Sequence, residues 1–318
     1  GPVGQGGMGA VYRVRDGDGR VVALKLLHPH LTEGPGRERL AREVAALQKV
    51  RHPGVARVLD AELDSADAFL VTELVDGQDL AAHVADHGPL AGDELAELAE
   101  RLREALAAVH DAGVLHRDLT PANVLVTEHG PVLIDFGIAQ SAEDARVTTA
   151  GQVAGTPGYL SPEVLAGGEP TRAADWWGWA GVLAFAATGR PPFGVRPLPA
   201  VLARGRTGAA DLAHLAPELA GLLAGALAVE PTRRTPPAQV VAGLRSLPPV
   251  PPGADVPPGA DAPPGATQVL SDPGADGVPA ATQVLPEPGA EVPPGATQVL
   301  SDPGADGPPT AALDTDPD

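Results

Sequence analysis

The chain has 318 residues, which is enough for a two-part domain with an appended segment, and it contains no cysteine. Disulfides, thiolate metal sites and cysteine nucleophiles are therefore excluded. The formal net charge is −19, but Pro248–Asp318 holds eleven acidic residues and no Lys or Arg, so the remainder has an ordinary charge and no basic stretch that would favour nucleic-acid binding.

The first quarter of the chain predicts strands around one helix. Apolar and polar residues alternate on both sides of a turn at Asp16–Gly19, and helical spacing of apolar residues follows at Leu40, Val44 and Leu47. The predicted strands are Val11–Val14, Arg20–Leu26, Val55–Leu63 and Ala68–Leu74, and the predicted helix is Arg37–Val50.

From Asp76 onward the pattern is mainly helical. The longest apolar run, Trp176–Gly189, is too short to span a bilayer and is typical of a buried core helix. A strand-rich part followed by a helix-rich part predicts two lobes with a cleft between them, over residues 1–75 and 76–247. The predicted helices are Leu80–Asp86, Gly92–Ala112, Thr171–Thr188, Pro199–Gly205, Glu218–Ala228 and Pro237–Leu244.

The composition changes after Leu247. Of the 71 residues in Pro248–Asp318, 27 are Pro or Gly and none is aromatic. Such a segment does not bury enough apolar surface to offset its ordering entropy, so disorder is predicted for residues 248–318. The segment contains three copies of ATQVL, fifteen residues apart, which are too few and too short for a solenoid.

Two acids and an amide stand at the spacing that a phosphoryl-transfer site needs. Residues 116–123 read HRDLTPAN, and residues 135–137, twelve positions later, read DFG. In this order Asp118 would orient an attacking hydroxyl and accept its proton. Asn123 and Asp135 would hold the Mg²⁺ ions that bridge the phosphates of a nucleotide.

A glycine-rich segment near the start supplies the phosphate-binding part. Residues 4–11 read GQGGMGAV, and glycine there allows the backbone to approach phosphates closely. Lys25, one of only two lysines, lies on the next predicted strand and would contact the α- and β-phosphates. Because the chain begins at Gly1, we expect a fragment in which the start of the first strand is missing. The candidate loop residues are Gly4, Gln5, Gly6, Gly7, Met8 and Gly9.

With these motifs the chain resembles the bacterial, actinobacterial-type eukaryotic-like serine/threonine protein kinases. The resemblance covers Val3 to about Leu247. It implies an α+β, two-lobed protein kinase fold with an antiparallel-sheet N-lobe and a helical C-lobe, here followed by a disordered C-terminal tail. It also implies ATP and Mg²⁺ as cofactors, protein substrates, and transfer of the γ-phosphoryl group to Ser or Thr hydroxyls.

The resemblance implies an acidic partner for Lys25 on the predicted helix 37–50. Glu43 is favoured over Glu38 because it lies nine residues before His52-Pro53, the spacing of bacterial relatives. A solvated helix face is the alternative interpretation, and it suits Glu38 better.

The resemblance also assigns an adenine site. Residues 68–77 (AFLVTELVDG) are similar to the segment that joins the two lobes, with Thr72 as the gatekeeper. The backbones of Glu73 and Val75 would then bind the adenine ring. The apolar residues expected to enclose the ring are Val11, Ala23 and Leu125.

Residues 155–163 (GTPGYLSPE) resemble the end of an activation segment in its serine/threonine version. By this resemblance Glu163 forms a structural ion pair with Arg234, and Asp175 braces the catalytic loop from the core helix.

Arg117, directly before Asp118, corresponds to an arginine that a phosphorylated activation loop holds in this family. Thr148 and Thr149 lie at the expected place in that loop. A phosphate adds about −1.5 to −2 charges and orders a loop through Arg contacts. We expect activation by autophosphorylation there, in trans within a kinase homodimer; the alternative is that these threonines only keep the loop hydrated.

Thr120 departs from the family, because serine/threonine kinases place there a Lys that contacts the transferred phosphate. Its absence removes electrostatic stabilisation of the transition state. Thr156 would lose its usual partner, and Thr120 is available to bond to it instead. We expect reduced rather than absent activity.

The tail repeats suggest partner binding. Thr267, Thr282 and Thr297 are each followed three residues later by Leu, as in the phosphothreonine sites that forkhead-associated domains bind. Three tethered copies would raise the effective concentration of the motif. The alternative is a low-complexity linker produced by repeat expansion.

Two other functions stay open at this point. One is a pseudokinase scaffold, which binds nucleotide and recruits phosphothreonine-reading partners through its tail. The other is a small-molecule phosphotransferase, which would lack the 155–163 signature. Since every catalytic residue except the Lys replaced by Thr120 is present, the protein kinase is favoured. We expect a cytoplasmic location and no nucleic-acid partner, with a membrane anchor or sensor domain outside these residues left open.

Overall fold

The computed structural model of the chain describes residues 2–6, 9–27, 35–64, 68–137 and 155–248. The chain divides into two units, residues 1–271 and 272–318, and the second contains no described residue. The tail predicted to be disordered therefore lies, apart from Pro248, outside the described residues. Among the helices of the described ranges, none has both the length and the apolar character needed to cross a membrane.

The first part of the chain forms one antiparallel sheet. Its strands are β1 (Pro2–Gly6), β2 (Gly9–Arg15), β3 (Val21–Leu26), β4 (Val58–Glu62) and β5 (Phe69–Glu73), in the order β1-β2-β3-β5-β4. The β2–β3 turn is closed by Asp16, whose Oδ1 accepts hydrogen bonds from the backbone N–H groups of Asp18 and Arg20 at 3.0 and 2.8 Å. Gly19 takes a φ of 80°, in the left-handed region that suits glycine. The four predicted strands are confirmed as β2 to β5.

One helix, α1 (Pro35–Leu47), packs beside this sheet. Leu40, Val44 and Leu47 are buried, so the apolar residues at helical spacing form its inner face, as predicted. Glu43 is only partly exposed, whereas Glu38 is exposed.

The second part of the chain is helical, and all six predicted helices are confirmed. They are α2 (Leu80–His87), α3 (Gly92–Asp111), α5 (Arg172–Thr188), α6 (Leu198–Thr207), α7 (Pro217–Ala226) and α8 (Pro237–Ser246). In α5 every residue from Trp177 to Thr188 is buried, which confirms the prediction of a core helix. Thr171 caps its start by accepting a hydrogen bond from Ala174, and Gly189 ends it in the left-handed conformation.

The sequence did not predict one short helix, α4 (Pro162–Leu165), or a second small sheet. That sheet consists of β6 (Gln78–Asp79), β7 (Val124–Thr127) and β8 (Gly130–Leu133). Strands of two to four residues are too short to show a periodicity. The hairpin β7–β8 connects the two sequence motifs, since residues 116–123 directly precede it and residues 135–137 begin two positions after its last residue, Leu133.

Candidate active site

The loop between α3 and β7 places Asp118 and Asn123 in direct contact. Asn123 Nδ2 donates to the backbone oxygen of Asp118 at 2.7 Å and approaches its Oδ2 at 3.4 Å. Asp118 is 8% exposed. The amide of Asn123 thus fixes the loop around the carboxylate, while its own Oδ1 is not used in these bonds.

Thr156 is the second group on the Asp118 carboxylate, since its hydroxyl donates to Oδ1 at 3.2 Å. The pKa of Asp118 is raised above its ordinary value, mainly because the carboxyl group is buried. The nearby charge of Asp135 raises this pKa further, whereas His116 and the hydrogen bond from Thr156 lower it by less than burial raises it. Thr120, the position that departs from the family, is buried directly before a 3₁₀ turn. Thr156 therefore bonds to Asp118, and the expected Thr156–Thr120 bond is not the one observed.

Asp135 forms an ion pair with Lys25, whose Nζ lies 2.5 Å from Oδ1. The Lys25 side chain is 11% exposed and that of Asp135 is 40% exposed. The strand register places Lys25 opposite Val11 on β2 and opposite Leu70 on β5.

The predicted pair between Lys25 and Glu43 is wrong for this structure. Both carboxylate oxygens of Glu43 bind the guanidinium of Arg117, with Nη1–Oε2 and Nη2–Oε1 distances of 2.6 Å. Arg39, one turn earlier on α1, adds a bond from Nε to Oε1 at 3.1 Å. The planar Arg guanidinium donates two parallel hydrogen bonds to the two oxygens of one carboxylate, a bidentate geometry that a Lys ammonium does not provide.

The charge state of Glu43 follows from this pairing. Burial alone would raise its pKa, but the hydrogen bonds and charges of Arg117 and Arg39 outweigh burial and hold the pKa below the ordinary value. Arg117 itself has a 5% exposed side chain and also donates from Nη1 to the Gly137 carbonyl at 3.3 Å.

Asp175 on α5 braces the catalytic loop, as expected. Its Oδ1 accepts the Arg117 backbone N–H and its Oδ2 accepts that of His116, both at 2.8 Å. Arg117 has a φ of 65°, unusual for a residue with a Cβ, so these bonds hold a strained segment. The sequence reasoning missed His110, whose Nε2 lies 2.7 Å from Asp175 Oδ2. No local pattern links residues 65 positions apart.

The oxygen groups near this loop fit Mg²⁺. Asp135 offers a partly exposed carboxylate. Both observed side-chain bonds of Asn123 use its Nδ2, so they leave its amide oxygen available to a metal ion. Within the described ranges no cluster of three or more His, Asp or Glu side chains would form a metal centre. A small oxygen set suits Mg²⁺, which takes one or two protein ligands together with phosphate oxygens and water.

The residues expected around adenine come from both sheets. Val11 is on β2, Ala23 pairs with Thr72 across β3 and β5, and Leu125 is on β7. Glu73 ends β5 and Val75 follows it. In the loop, Gly6 pairs with Gly9 and Gly4 with Val11, so Gly4, Gln5, Gly6 and Gly9 belong to the β1–β2 hairpin. Gly7 and Met8 lie outside the described residues.

The predicted ion pair between Glu163 and Arg234 is confirmed. Two bonds of 2.9 and 2.5 Å join the guanidinium to the carboxylate. Arg234 also donates to the carbonyls of Ala173 and Ala228 and lies 5.0 Å above the Trp177 ring. The regulatory threonines Thr148, Thr149, Thr267, Thr282 and Thr297 lie outside the described residues.

Comparison with known proteins finds a matching domain family and similar serine/threonine kinases. The protein kinase domain family matches residues 1–243. The serine/threonine-protein kinase AfsK of Streptomyces coelicolor is 40% identical over 247 residues, which are 77% of this chain and 31% of the relative. The probable serine/threonine-protein kinase PkwA of Thermomonospora curvata is 36% identical over 243 residues, 76% of this chain and 33% of the relative. The chain thus spans about a third of the length of these relatives.

A solved structure resembles the fold. The crystal structure of Rad53 1-466 in complex with AMP-PNP superimposes with a TM-score of 0.63 at 25% sequence identity, covering 76% of this chain and 62% of that chain. The match confirms the expected architecture of an antiparallel-sheet lobe followed by a helical lobe.

Proposed function

Because the chain belongs to the protein kinase domain family, we propose that it is a serine/threonine protein kinase that transfers the γ-phosphoryl group of ATP to protein hydroxyls. The observation that carries this proposal is the buried Asp118 carboxylate, which accepts a hydrogen bond from Thr156 and whose loop is held by the Asn123 amide. The relatives' names also favour an enzyme over a pseudokinase scaffold.

The reaction follows from the positions of these groups. Asp118 accepts the proton of a Ser or Thr hydroxyl. Its raised pKa makes it a stronger base than an ordinary aspartate. The hydroxyl oxygen forms a bond to the γ-phosphorus while the bond from that phosphorus to the β,γ-bridging oxygen breaks, which releases ADP.

The remaining charged groups hold the nucleotide. Asn123 and Asp135 would bind Mg²⁺, which supplies positive charge to the phosphates. Lys25 would contact the α- and β-phosphates, and the AMP-PNP bound to the structural relative is consistent with a nucleotide in this cleft. With Thr120 in place of a lysine, one cation is missing from the transferred phosphate, so we propose a slow enzyme.

A radiolabelled-ATP assay tests the proposal with three proteins. We expect slow transfer by the wild type, loss of transfer in Asp118→Asn, and faster transfer in Thr120→Lys. Purified wild type that shows no transfer while Thr120→Lys is active would instead favour the scaffold.

Regulation by autophosphorylation at Thr148 and Thr149, in trans between two copies of the kinase, is part of the proposal. It is supported by the place of these threonines between residues 135–137 and 155–163 and by Arg117 before the catalytic acid. The double variant Thr148→Ala/Thr149→Ala is expected to lose most of its turnover after preincubation with ATP. Unchanged turnover would refute this part alone.

The tail threonines Thr267, Thr282 and Thr297 are proposed as phosphorylation sites for forkhead-associated-domain proteins. Their repeated ATQVL sequence supports this. Mass spectrometry after incubation with ATP is expected to find phosphate on them, and its absence would leave the repeats as a linker. We also propose a cytoplasmic location, which fractionation of cells that express the protein would check.

A further inference from the structure

Two histidines stack on each other on the outer face of α2. His83 and His87 lie one turn apart, and their ring centroids are 4.5 Å apart with 26° between the ring planes. Residues four positions apart are neighbours on a helix surface. His87 is exposed and His83 is partly exposed, whereas Leu80 and Val84 form the buried side of the helix. The two imidazoles therefore share a face that solvent reaches.

A hydrogen bond selects the free nitrogen of His87. Its Nδ1 lies 3.0 Å from the backbone oxygen of His83. A carbonyl oxygen only accepts, so Nδ1 carries the proton and Nε2 of the neutral ring keeps a lone pair. Histidines that bind metal ions almost always donate the other ring N–H to a carbonyl, a carboxylate or water in this way. His87 is thus in the tautomer that coordination of a metal ion through Nε2 requires.

We infer that His83 and His87 form a binding site for a divalent transition metal ion of the class that imidazole favours, which includes Cu²⁺, Ni²⁺ and Zn²⁺. Two histidines at this spacing on one helix face reach the same ion. The His83 ring nitrogens have no hydrogen-bond partner among the described residues, so this ring is able to turn towards the ion. The site stands apart from the proposed kinase reaction, because neither histidine takes part in that reaction.

The surroundings of the pair favour a cation. The helix α2 contains no Lys or Arg, and Asp86, three residues after His83, is its neighbour on the helix surface. Gln78 Nε2 donates to Asp86 Oδ2 at 2.6 Å, which holds this carboxylate in place. No third His, Asp or Glu completes a metal cluster within the described ranges. Two protein ligands and water would therefore hold the ion, more weakly than the four ligands of a structural zinc site.

An ion at this site stabilises the folded chain. The helix α2 has eight residues and packs against the 3₁₀ turn Pro121–Asn123. An isolated helix this short is marginal in water, so the unfolded chain does not keep the two histidines at helical spacing. A ligand that prefers the folded form raises its stability by mass action. The bound ion would thus hold the helix against which the turn with Asn123 packs.

Isothermal titration calorimetry of the whole chain with CuCl₂ and with ZnCl₂ tests the site. We expect one ion per chain at α2, with Cu²⁺ bound more tightly than Zn²⁺. His83→Gln and His87→Gln should each raise the Kd by about tenfold or more, because each removes one of two protein ligands. Binding that persists unchanged in either variant overturns the proposal.

Two controls separate this pair from the other histidines. His129→Gln removes a single histidine whose side chain is 87% exposed, and it is expected to leave the Kd unchanged. His28→Gln/His30→Gln removes the other closely spaced pair of the sequence, which lies outside the described residues. We expect the ion at α2 to bind this double variant with the wild-type Kd. Loss of binding in the double variant would assign the ion to the other pair and refute the site at α2.

Electron paramagnetic resonance of bound Cu²⁺ identifies the ligands without relying on affinity. We expect hyperfine coupling to two imidazole nitrogens in the wild type and to one in His87→Gln, whose replaced side chain is exposed and leaves the core intact. A wild-type spectrum without two coupled nitrogens contradicts the proposal. The thermal unfolding midpoint should also rise with ZnCl₂ in the wild type and in His129→Gln, but not in His87→Gln. An equal rise in all three proteins would place the ion elsewhere.

Discussion

The two ion pairs expected from the sequence behave differently in the two lobes. Glu163 and Arg234 meet as expected in the helical lobe, whereas Lys25 and Glu43 each bind another partner at the edge of the sheet lobe. Arg234 is fixed by backbone carbonyls and an aromatic face besides its acid. Lys25 and Glu43 have oppositely charged competitors within reach. An ion pair is therefore unique where its surroundings offer one partner, and exchangeable where they offer two.

The largest effect is expected from the unique pair. Glu163→Ala leaves the Arg234 guanidinium, 6% exposed, without its carboxylate, and breaking a buried pair in this way costs about 3 kcal/mol of unfolding free energy. Urea denaturation would measure it. Glu163→Gln, which keeps the shape and one acceptor oxygen, is the control and should lose less. A loss below about 1 kcal/mol for Glu163→Ala would show that Arg234 finds another acceptor, and the contrast between the lobes would disappear.

A smaller but more selective effect is expected at the exchangeable pairs. In the nucleotide-free protein, the coupling between Glu43→Gln and Arg117→Met should be about 2 kcal/mol in unfolding free energy, since the two groups touch. The coupling between Lys25→Met and Glu43→Gln should stay within about 0.5 kcal/mol, as for sites without a shared contact. A larger Lys25–Glu43 coupling would mean that these two side chains already pair with each other in solution.

The pH dependence provides an independent check on Glu43. Its pKa is lower in the folded protein, so the carboxylate contributes stability above its ordinary pKa of 4.5, and that contribution is lost as the pH falls through the lower folded value. The stability difference between wild type and Glu43→Gln should therefore shrink as the pH is lowered below about 4.5. Denaturant unfolding at several pH values would measure this, and a difference that is constant with pH would contradict it.

The sequence predicted what short-range pattern and motif spacing encode. The strands β2 to β5, the helix α1, the six predicted helices of the second part and the order of Asp118, Asn123 and Asp135 were all accessible in this way. The brace from Asp175 came from the resemblance to a known family and is confirmed by the structure. The small sheet β6–β8 was missed because its strands are too short for a period. The partner of Glu43 was missed for a different reason. A sequence shows which charges are present, but the choice between Lys25 and Arg117 depends on distances across three elements.

The smallest effect is expected from Arg39, which shares Glu43 with Arg117. The Arg39 side chain is 43% exposed and one turn away on the same helix, and exposed pairs at this spacing contribute about 0.3 to 0.5 kcal/mol. Arg39→Ala should therefore lower the unfolding free energy by no more than this at low salt, and by less at high salt because the pair is screened. If the loss of unfolding free energy approached that of Arg117→Met, the Arg39–Glu43 pair within α1, rather than the buried Arg117 guanidinium, would hold Glu43 in place. Arg39 and Arg117 carry the same charge and contact the same carboxylate of Glu43. A difference between the stability losses of the two variants therefore reports the effect of burial and two-pronged geometry rather than of charge.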